Sequence, residues 1–163
     1  MYPDIFTEIP GMLHPLEGLN LYWLAHNLSK NSTILEIGCF AGRSTYFLGC
    51  GAHDSGSHVY TVDPFNGRID LQVQNAVQDN AALRSYLSID RKGEKPSMQE
   101  VGNILRLHGL DTTVSLIQGY SHEIAWDKPI HLLFIDGQHT YAAVTRDANK
   151  FVQFLVKGGL IVF

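Results

Sequence analysis

The most constraining feature of this sequence is the stretch TILEIGCFAGRST at residues 33–45, in which an apolar run, a glycine turn and a helix start follow one another. The apolar residues Ile34, Leu35 and Ile37 are typical of a parallel strand that is covered on both faces. Gly38 allows the backbone to turn sharply and to approach a ligand closely. A helix that starts after such a turn offers unpaired N–H groups and a partial positive charge, so the stretch predicts a nucleotide-binding device.

The spacing of the glycines separates three devices that share this outline. A phosphate-binding P-loop has four residues between its glycines and then Lys-Ser/Thr, whereas here three residues separate Gly38 from Gly42 and Arg43 follows. A dinucleotide fingerprint needs Gly-x-Gly-x-x-Gly, and Phe40 stands where its second glycine is required. The remaining pattern, Glu-x-Gly-x-x-x-Gly from Glu36, favours a ligand with a cationic centre and a ribose, with an ordinary strand-to-helix turn as the alternative. Gly42 is expected to let the following helix lie close to the strand.

Length and composition predict a single globular domain over residues 1–163. The chain has 45% hydrophobic and 17% charged residues, which is ordinary for a globular protein. Acidic residues outnumber basic ones by 16 to 12 without any Lys/Arg cluster, so we expect no nucleic-acid partner. The sequence shows neither an apolar run of transmembrane length nor a basic segment leading into an apolar one at its start, so we expect no membrane partner and a cytoplasmic location. The two cysteines, Cys39 and Cys50, lie in no metal-binding spacing and are expected to be reduced thiols.

Strands and helices alternate along the rest of the chain. Helical patterns cover about 15–29, 43–50 and 97–108, a short stretch up to Trp126, and 141–155. Further strands are predicted at 58–62, 113–118, 131–135 and 160–163. This alternation implies right-handed crossovers and a mostly parallel sheet with helices on both faces, which is a doubly wound, Rossmann-like α/β fold that stops after its fifth strand. The polar residues 66–96 are expected to form a partly helical insertion or a mobile lid over the cleft.

Local signals predict where several helices begin and end. Ser97, with Glu100 three residues later, forms a capping-box pattern that starts a helix. Gly49 and Gly51 are expected to end the helix before them, and residues 157–159 to end the last helix. The apolar stripe of that last helix consists of Tyr141, Val144, Ala148, Phe151 and Leu155.

In a sheet of this kind the ligand crevice lies beyond the carboxyl ends of the strands, where four turn residues are expected to gather: Gly38, Asp63, Gly119 and Asp136. Asp63 lies about 20 residues beyond the glycine turn, where a doubly wound fold places an acidic side chain that accepts hydrogen bonds from ribose hydroxyls. The alternative is a turn-forming aspartate before Pro64, which is a common arrangement.

Four segments in fixed order carry a resemblance to a known family. They are EIGCFAGRST at 36–45, VDPF at 62–65, FIDGQHTY at 134–141 and GGLIV at 158–162. The ordered set resembles the successive motifs of class I S-adenosylmethionine-dependent methyltransferases, most closely the small-molecule group of the methyltransferase 24 type, which is related to catechol-like and macrolide O-methyltransferases. The resemblance covers most of the chain from about Leu16 onward. It implies an enzyme that transfers a methyl group from S-adenosylmethionine to an oxygen of a small-molecule acceptor.

The resemblance implies cofactor-binding roles for residues of three turns: Glu36, Gly38, Cys39, Gly42, Asp63, Gly119 and Ser121. The first turn would shape the methionine and carboxylate side of the pocket. Asp63 would bind the ribose, and the turn that holds Gly119 and Ser121 would lie near the adenine.

Asp136 and His139 are the candidates for chemistry. His139 is a candidate general base that takes a proton from the acceptor hydroxyl, with a locally bonded helix-start residue as the alternative. Relatives that use a divalent metal place a ligand aspartate at the end of this fourth strand, so Asp136 also raises Mg²⁺ as a second cofactor. One carboxylate with a nearby imidazole makes an incomplete magnesium site, since this ion needs several oxygen ligands.

Two other interpretations follow from the same sequence. A non-catalytic nucleoside-binding or assembly subunit would retain the pocket without a completed acceptor site, whereas a nicotinamide dehydrogenase is disfavoured by the glycine spacing. In the family's sheet order, the apolar strand at 160–163 would be covered by two further strands. We therefore expect a C-terminally incomplete domain, either as a fragment of a longer protein or as a homo-oligomer that forms through this exposed strand edge.

Overall fold

The computed structural model describes residues 1–4, 7–69, 74–75, 77–78, 80–87 and 94–163, in which helices and strands follow one another along the chain. The helices are α1 (Pro15–His26), α2 (Arg43–Ser55), α3 (Ala81–Tyr86), α4 (Met98–Leu107) and α5 (Tyr141–Phe151). The strands are β1 (Thr33–Ile37), β2 (His58–Asp63), β3 (Val114–Gln118), β4 (Ile130–Ile135) and β5 (Leu155–Val162). A short 3₁₀ turn, Val152–Phe154, connects α5 to β5.

The five strands form one parallel sheet in the order β3-β2-β1-β4-β5. Ile37, the last residue of β1, pairs with Val62 of β2 and with Ile135 of β4. Asp63 pairs with Gln118 at the end of β3. The carboxyl ends of these four strands therefore lie along one edge of the sheet, as the predicted Rossmann-like fold requires.

Helices cover both faces of the sheet, which confirms the predicted fold class. Ile34 of β1 belongs to an apolar cluster that includes Phe47 of α2. Its neighbour Leu35 belongs to a second cluster that includes Phe151 of α5. Successive side chains of a strand point to opposite faces, so the continuous apolar run of β1 is buried from both sides.

The prediction that α2 ends at its glycines was wrong. The helix continues through Gly49 and Gly51, and it ends at Gly56, which has the left-handed φ of 70° common after helices. A Cβ atom at Gly51 would lie 2.4 Å from the backbone oxygen of Tyr22 in α1. The absence of a side chain therefore lets α1 and α2 pack closely, and this contact offsets the low helix propensity of glycine.

The boundary between the last helix and the last strand was also predicted wrongly. Leu155 fits the helical stripe, but it opens β5 and pairs with Ile130 of β4. The register shifts before the next pair, Leu132 with Leu160, so β5 carries a bulge that contains Gly158 at a φ of 83°. The glycines at 158–159 thus bend a strand instead of ending a helix.

The short helix predicted to reach Trp126 is a single turn. The Lys150 side chain donates hydrogen bonds to the backbone oxygens of Ser121 at 2.7 Å and Ile124 at 2.6 Å. These are carbonyl groups that a continuing helix would use for its own hydrogen bonds, so the chain stays irregular until β4.

The capping box predicted at Ser97 is present: Ser97 Oγ accepts from Glu100 N, and Glu100 Oε2 accepts from Ser97 N. Within residues 66–96, the predicted insertion or lid, the structure describes the short helix α3. The other residues of this segment lie partly outside the described ranges. None of the helices in those ranges is long and apolar enough to cross a membrane.

Candidate functional site

A cleft of about 760 Å³ opens at the carboxyl edge of the sheet. This volume is within the usual range for small-molecule sites, roughly 300–1,000 Å³. Most of the residues predicted to bind a ligand or to act on it line the cleft: Gly38, Cys39, Asp63, Gly119, Ser121, Asp136 and His139. The structure therefore brings together the turns after β1, β2, β3 and β4, as the strand order predicts.

Glu36 is not in contact with the cleft, because its side chain is fully buried between β1, β2 and α2. Its carboxylate accepts hydrogen bonds from the hydroxyls of Ser44 at 2.5 Å, Thr45 at 2.6 Å and Thr61 at 2.7 Å. Burial raises the pKa of Glu36 from 4.5 to about 7, against the opposing effect of the three hydroxyls. Glu36 thus ties the first turn of α2 to two strands beneath the site.

The turn after β1 requires left-handed backbone at several positions. Gly38 has a φ of 95°, and a Cβ atom there would lie 2.4 Å from the backbone oxygen of Asp136. Gly42 has a φ of 94°, and a Cβ atom there would lie 3.1 Å from the Val101 side chain. The close neighbour of Gly42 is therefore α4 and not the strand that the sequence suggested, and its conformation is the stronger reason for glycine. Phe40 adopts a φ of 50° between them, which is uncommon for a residue with a side chain.

Asp63 links the turn after β1 to the turn after β2. Its Oδ2 atom accepts from the backbone N–H of Cys39 at 3.0 Å and of Phe40 at 3.4 Å. Its Oδ1 atom accepts from the backbone N–H of Phe65 at 2.7 Å. Asp63 therefore has the turn-forming role that was weighed as an alternative, and it also lines the cleft. Its contact with a ribose stays a prediction.

Lys95 is a residue of the site that the sequence did not indicate. Its Nζ atom lies 2.7 Å from both carboxylate oxygens of Asp63, and its side chain is only 8% exposed. Its backbone N–H donates to the oxygen of Gly67 at 2.9 Å, which fixes the main chain at this point. Sequence spacing could not have found it, because a single lysine in a polar stretch without periodicity carries no signal.

The turn after β3 is held by α5. Ser121 Oγ donates to Asp147 Oδ1 at 2.6 Å, and Asp147 is buried in the wall of the cleft. Lys150 binds the same turn through two backbone oxygens, and desolvation lowers its pKa. The sequence offered a signal for Asp147, since it falls at helical spacing between the buried residues Ala143 and Phe151. An acidic residue that is buried beside apolar neighbours needs a hydrogen-bond partner.

The N-terminal lead and α1 together form another wall of the cleft. Residues 11–13 line it together with Glu17 and Leu21 of α1. The Arg43 side chain donates to the backbone oxygen of Ile9 at 3.1 Å and supports this lead from below. Arginine is unfavourable at a helix N-terminus, so its place at the start of α2 was a signal of a specific contact.

Cys39 lines the cleft as a neutral thiol, because burial raises its pKa well above the ordinary value. Its Sγ atom lies 3.4 Å from Thr45 Oγ1. Cys39 and Cys50 are both free and buried in the structure, and their reduced state stays a prediction.

Asp136 and His139 form a pair at the mouth of the cleft. His139 Nε2 lies 3.2 Å from Asp136 Oδ1, and the two side chains are 59% and 44% exposed. Partial burial raises the pKa of Asp136, while the nearby His139 lowers it. No group of three or more His, Cys, Asp or Glu side chains that could hold a metal ion occurs among the described residues. The Mg²⁺ that the family resemblance raised therefore finds no ligand cluster there.

A family model described as a methyltransferase domain matches residues 35–163 of this chain. Among curated proteins, an uncharacterized protein of Acanthamoeba polyphaga mimivirus is 29% identical over 107 residues, which are 60% of this chain and 45% of that protein.

Two solved structures share the fold at low sequence identity. A methyltransferase of Podospora anserina with bound SAH has a TM-score of 0.62 at 19% identity, over 92% of this chain and 52% of that one. An O-methyltransferase of Bacillus cereus in complex with SAH has a TM-score of 0.60 at 19% identity, over 94% of this chain and 58% of that one. This chain thus spans about half the length of the proteins it matches.

Proposed function

This chain belongs to the methyltransferase-domain family, and from that premise we propose that it binds S-adenosylmethionine in the cleft and transfers the methyl group to an oxygen of a small molecule. The observation that carries the proposal is the convergence of four strand ends on one cleft, with Asp63 in its wall and Asp136 beside His139 at its mouth. The two neighbours that contain SAH support the choice of cofactor, and the Bacillus cereus protein supports oxygen as the acceptor atom.

The residues of the cleft fit a nucleoside with a charged tail. Asp63 offers carboxylate oxygens of the kind that accept hydrogen bonds from ribose hydroxyls. Gly119 follows β3 and donates its backbone N–H to the backbone carbonyl oxygen of Asp63. The turns after β2 and β3 therefore lie side by side along the cleft. Apolar side chains such as Phe134 and Val162 complete the lining. When bound, S-adenosylmethionine supplies a methyl group that its sulfonium centre makes electrophilic.

The Asp136–His139 pair is suited to remove the acceptor's proton. With Nε2–H of His139 donating to Asp136, the Nδ1 atom is left as the proton acceptor. The carboxylate would orient the imidazole and stabilise its charged form, as a base and its orienting group do in other enzymes. The exposure of both side chains leaves room for a small hydroxylated acceptor at the mouth.

The first test concerns the cofactor. Asp63→Ala should weaken the binding of S-adenosylhomocysteine by on the order of 1–3 kcal/mol, because charged hydrogen bonds to the ribose are lost. Titration calorimetry measures this affinity, and NAD serves as the comparison ligand that should not bind. Asp127→Ala is the matched control, since this exposed aspartate precedes β4 at the opposite edge of the sheet.

Asp63 also holds two turns together, so the melting temperature of the variant must be measured alongside. Asp63→Asn, which keeps the shape of the side chain, provides a second variant if the alanine form is unstable. Unchanged affinity for S-adenosylhomocysteine in a folded variant would contradict the ribose role. A wild-type protein that binds NAD in preference would contradict the proposed cofactor.

A further inference from the structure

The Asp63 carboxylate is saturated with hydrogen bonds in the structure. Its two oxygens accept hydrogen bonds from the backbone N–H groups of Cys39, Phe40 and Phe65. The Lys95 ammonium group lies 2.7 Å from both carboxylate oxygens. An ionised carboxylate offers about four acceptor positions. Five contacts already share these positions, so ribose hydroxyls cannot bind until one partner leaves.

Of these partners, Lys95 is the one that can leave. The three N–H groups belong to the main chain of tight turns, in which Phe40 and Phe65 hold positive φ values of 50° and 45°. The Lys95 ammonium group sits at the end of a flexible four-carbon stem. The hydrogen bond from Lys95 N to Gly67 O holds the backbone in place, so the part of Lys95 that would move in a displacement is its side chain.

We propose that the Lys95 ammonium group competes with ribose hydroxyls for the carboxylate oxygens of Asp63, and that a nucleoside ligand binds by displacing it. The inference rests on the proposed function, since it takes the ligand to be a nucleoside. Lys95 then sets the affinity of the site and, through its positive charge, keeps the buried Asp63 carboxylate paired when no ligand is bound.

The sign of the effect follows from linkage. A ligand that can bind only after Lys95 has moved has a reduced apparent affinity. This affinity is the intrinsic affinity multiplied by the fraction of molecules in which Lys95 has left Asp63. The Lys95–Asp63 ion pair is shielded from water, with side chains 8% and 3% exposed, and this shielding strengthens the attraction between the charges. The fraction of molecules in which Lys95 has left Asp63 is therefore small. Replacing the ammonium group by an apolar group removes the donor that competes for these oxygens, while the three backbone N–H groups still satisfy Asp63.

The decisive variant is Lys95→Met, which keeps the length of the side chain without its charge. We expect it to bind S-adenosylhomocysteine about tenfold more tightly than the wild-type protein in titration calorimetry. This ligand is chosen because it lacks the sulfonium charge, so a more negative cleft does not by itself strengthen its binding. Lys157→Met, at an exposed lysine of β5, is the control with the same change of net charge and should bind like the wild type. Lys95→Ala, whose side chain donates no hydrogen bond, is the second variant if the methionine form folds poorly.

A second measurement follows Lys95 itself in the wild-type protein. Acetylation of lysines, read by peptide mass spectrometry, should be several-fold slower at the buried Lys95 than at Lys157 without ligand. Saturation with S-adenosylhomocysteine should raise the rate at Lys95 and leave Lys157 unchanged. A lysine with a purely structural role would react no faster when the ligand is bound.

The inference stands only if both readouts move as expected. If the wild type binds S-adenosylhomocysteine but Lys95→Met binds equally or less tightly, or Lys95 reacts no faster in the complex, the competitor role is overturned and the proposed function survives. If neither protein binds S-adenosylhomocysteine, the proposed function fails as well.

Discussion

Two sets of titratable side chains at the same edge of the sheet differ sharply in their surroundings. The buried acids, Glu36 and Asp63, are at most 3% exposed and are held by hydroxyls, backbone N–H groups and an ammonium group. The exposed pair, Asp136 and His139, is open to solvent and joined by a single contact of 3.2 Å. Glu36 lies within β1 and Asp63 is the last residue of β2, whereas the exposed pair follows β4.

The difference indicates a division of work within one cleft. A buried carboxylate is tolerated only when its partners are already in place, so the buried acids fix the shape of the site before a ligand arrives. The exposed pair has fewer fixed partners and is free to meet an acceptor that varies in shape. Under the proposed function, ligand contact should therefore reside with Asp63, supported by Glu36 beneath the turn, and proton removal with the exposed pair.

The largest expected effect is on methyl transfer by the exposed pair. His139→Ala and Asp136→Asn should each lower the transfer rate by roughly 100-fold or more, the scale for loss of a general base or of the group that orients it. Affinity for S-adenosylhomocysteine should stay unchanged in both variants. Release of S-adenosylhomocysteine from S-adenosylmethionine with a panel of hydroxylated small molecules measures the rate.

His122→Ala is the matched control, because His122 is exposed and lies outside the cleft lining. A large loss of cofactor affinity in Asp136→Asn would break the proposed division of work. Activity that survives in His139→Ala would return His139 to a local role at the start of α5. Activity that is insensitive to a chelator would favour His139 acting without a metal.

The next effect concerns stability and comes from Glu36. Its pKa is raised from 4.5 to about 7 in the folded state, so the folded protein holds this proton more tightly than the unfolded chain. The contribution to the free energy of unfolding is therefore fully present below pH 4.5 and is lost as the pH rises through about 7. Between about pH 5 and pH 8 the loss should amount to roughly 2–3 kcal/mol.

Glu36→Gln isolates this contribution, because glutamine keeps the shape of the side chain and does not titrate. Urea unfolding of both proteins at several pH values gives the two stability curves, and the difference between them should change with pH while other titrating groups cancel. Parallel curves would mean that Glu36 stays ionised in the folded state, held by its three hydroxyl partners. In that case burial would not distinguish Glu36 from the exposed pair in its protonation.

Much of the fold could be predicted because its signals are local. The apolar run of β1, the glycine turn and the capping box at Ser97 each depend on residues a few positions apart, and all three are present. The position of Asp63 was also predictable, since it follows from the usual spacing of a strand, a helix and a strand.

The errors arose where one local pattern fits two structures. The glycine pattern predicts a helix end at Gly51, but tertiary contact with α1 makes this glycine a packing residue in the middle of the helix. Leu155 fits a helical stripe and a strand equally well, and pairing with β4 decided between them. Lys95 could not be found at all, because its contact with Asp63 spans 32 residues across a segment without periodicity.

The smallest effect tests whether the turn beside the buried acids is fixed by its own backbone. Gly42→Ala should lower the free energy of unfolding by roughly 1–2 kcal/mol, because a Cβ atom disfavours the left-handed conformation. That atom would also press on Val101 at 3.1 Å.

Gly102→Ala is the matched control in α4, where the new Cβ atom meets only Leu116 at 3.9 Å. It should raise the free energy of unfolding by up to about 1 kcal/mol, since alanine is the better helix former. Urea unfolding measures both. Equal effects of the two substitutions would mean that the turn after β1 adapts its conformation. The site would then not be fixed in shape before a ligand binds.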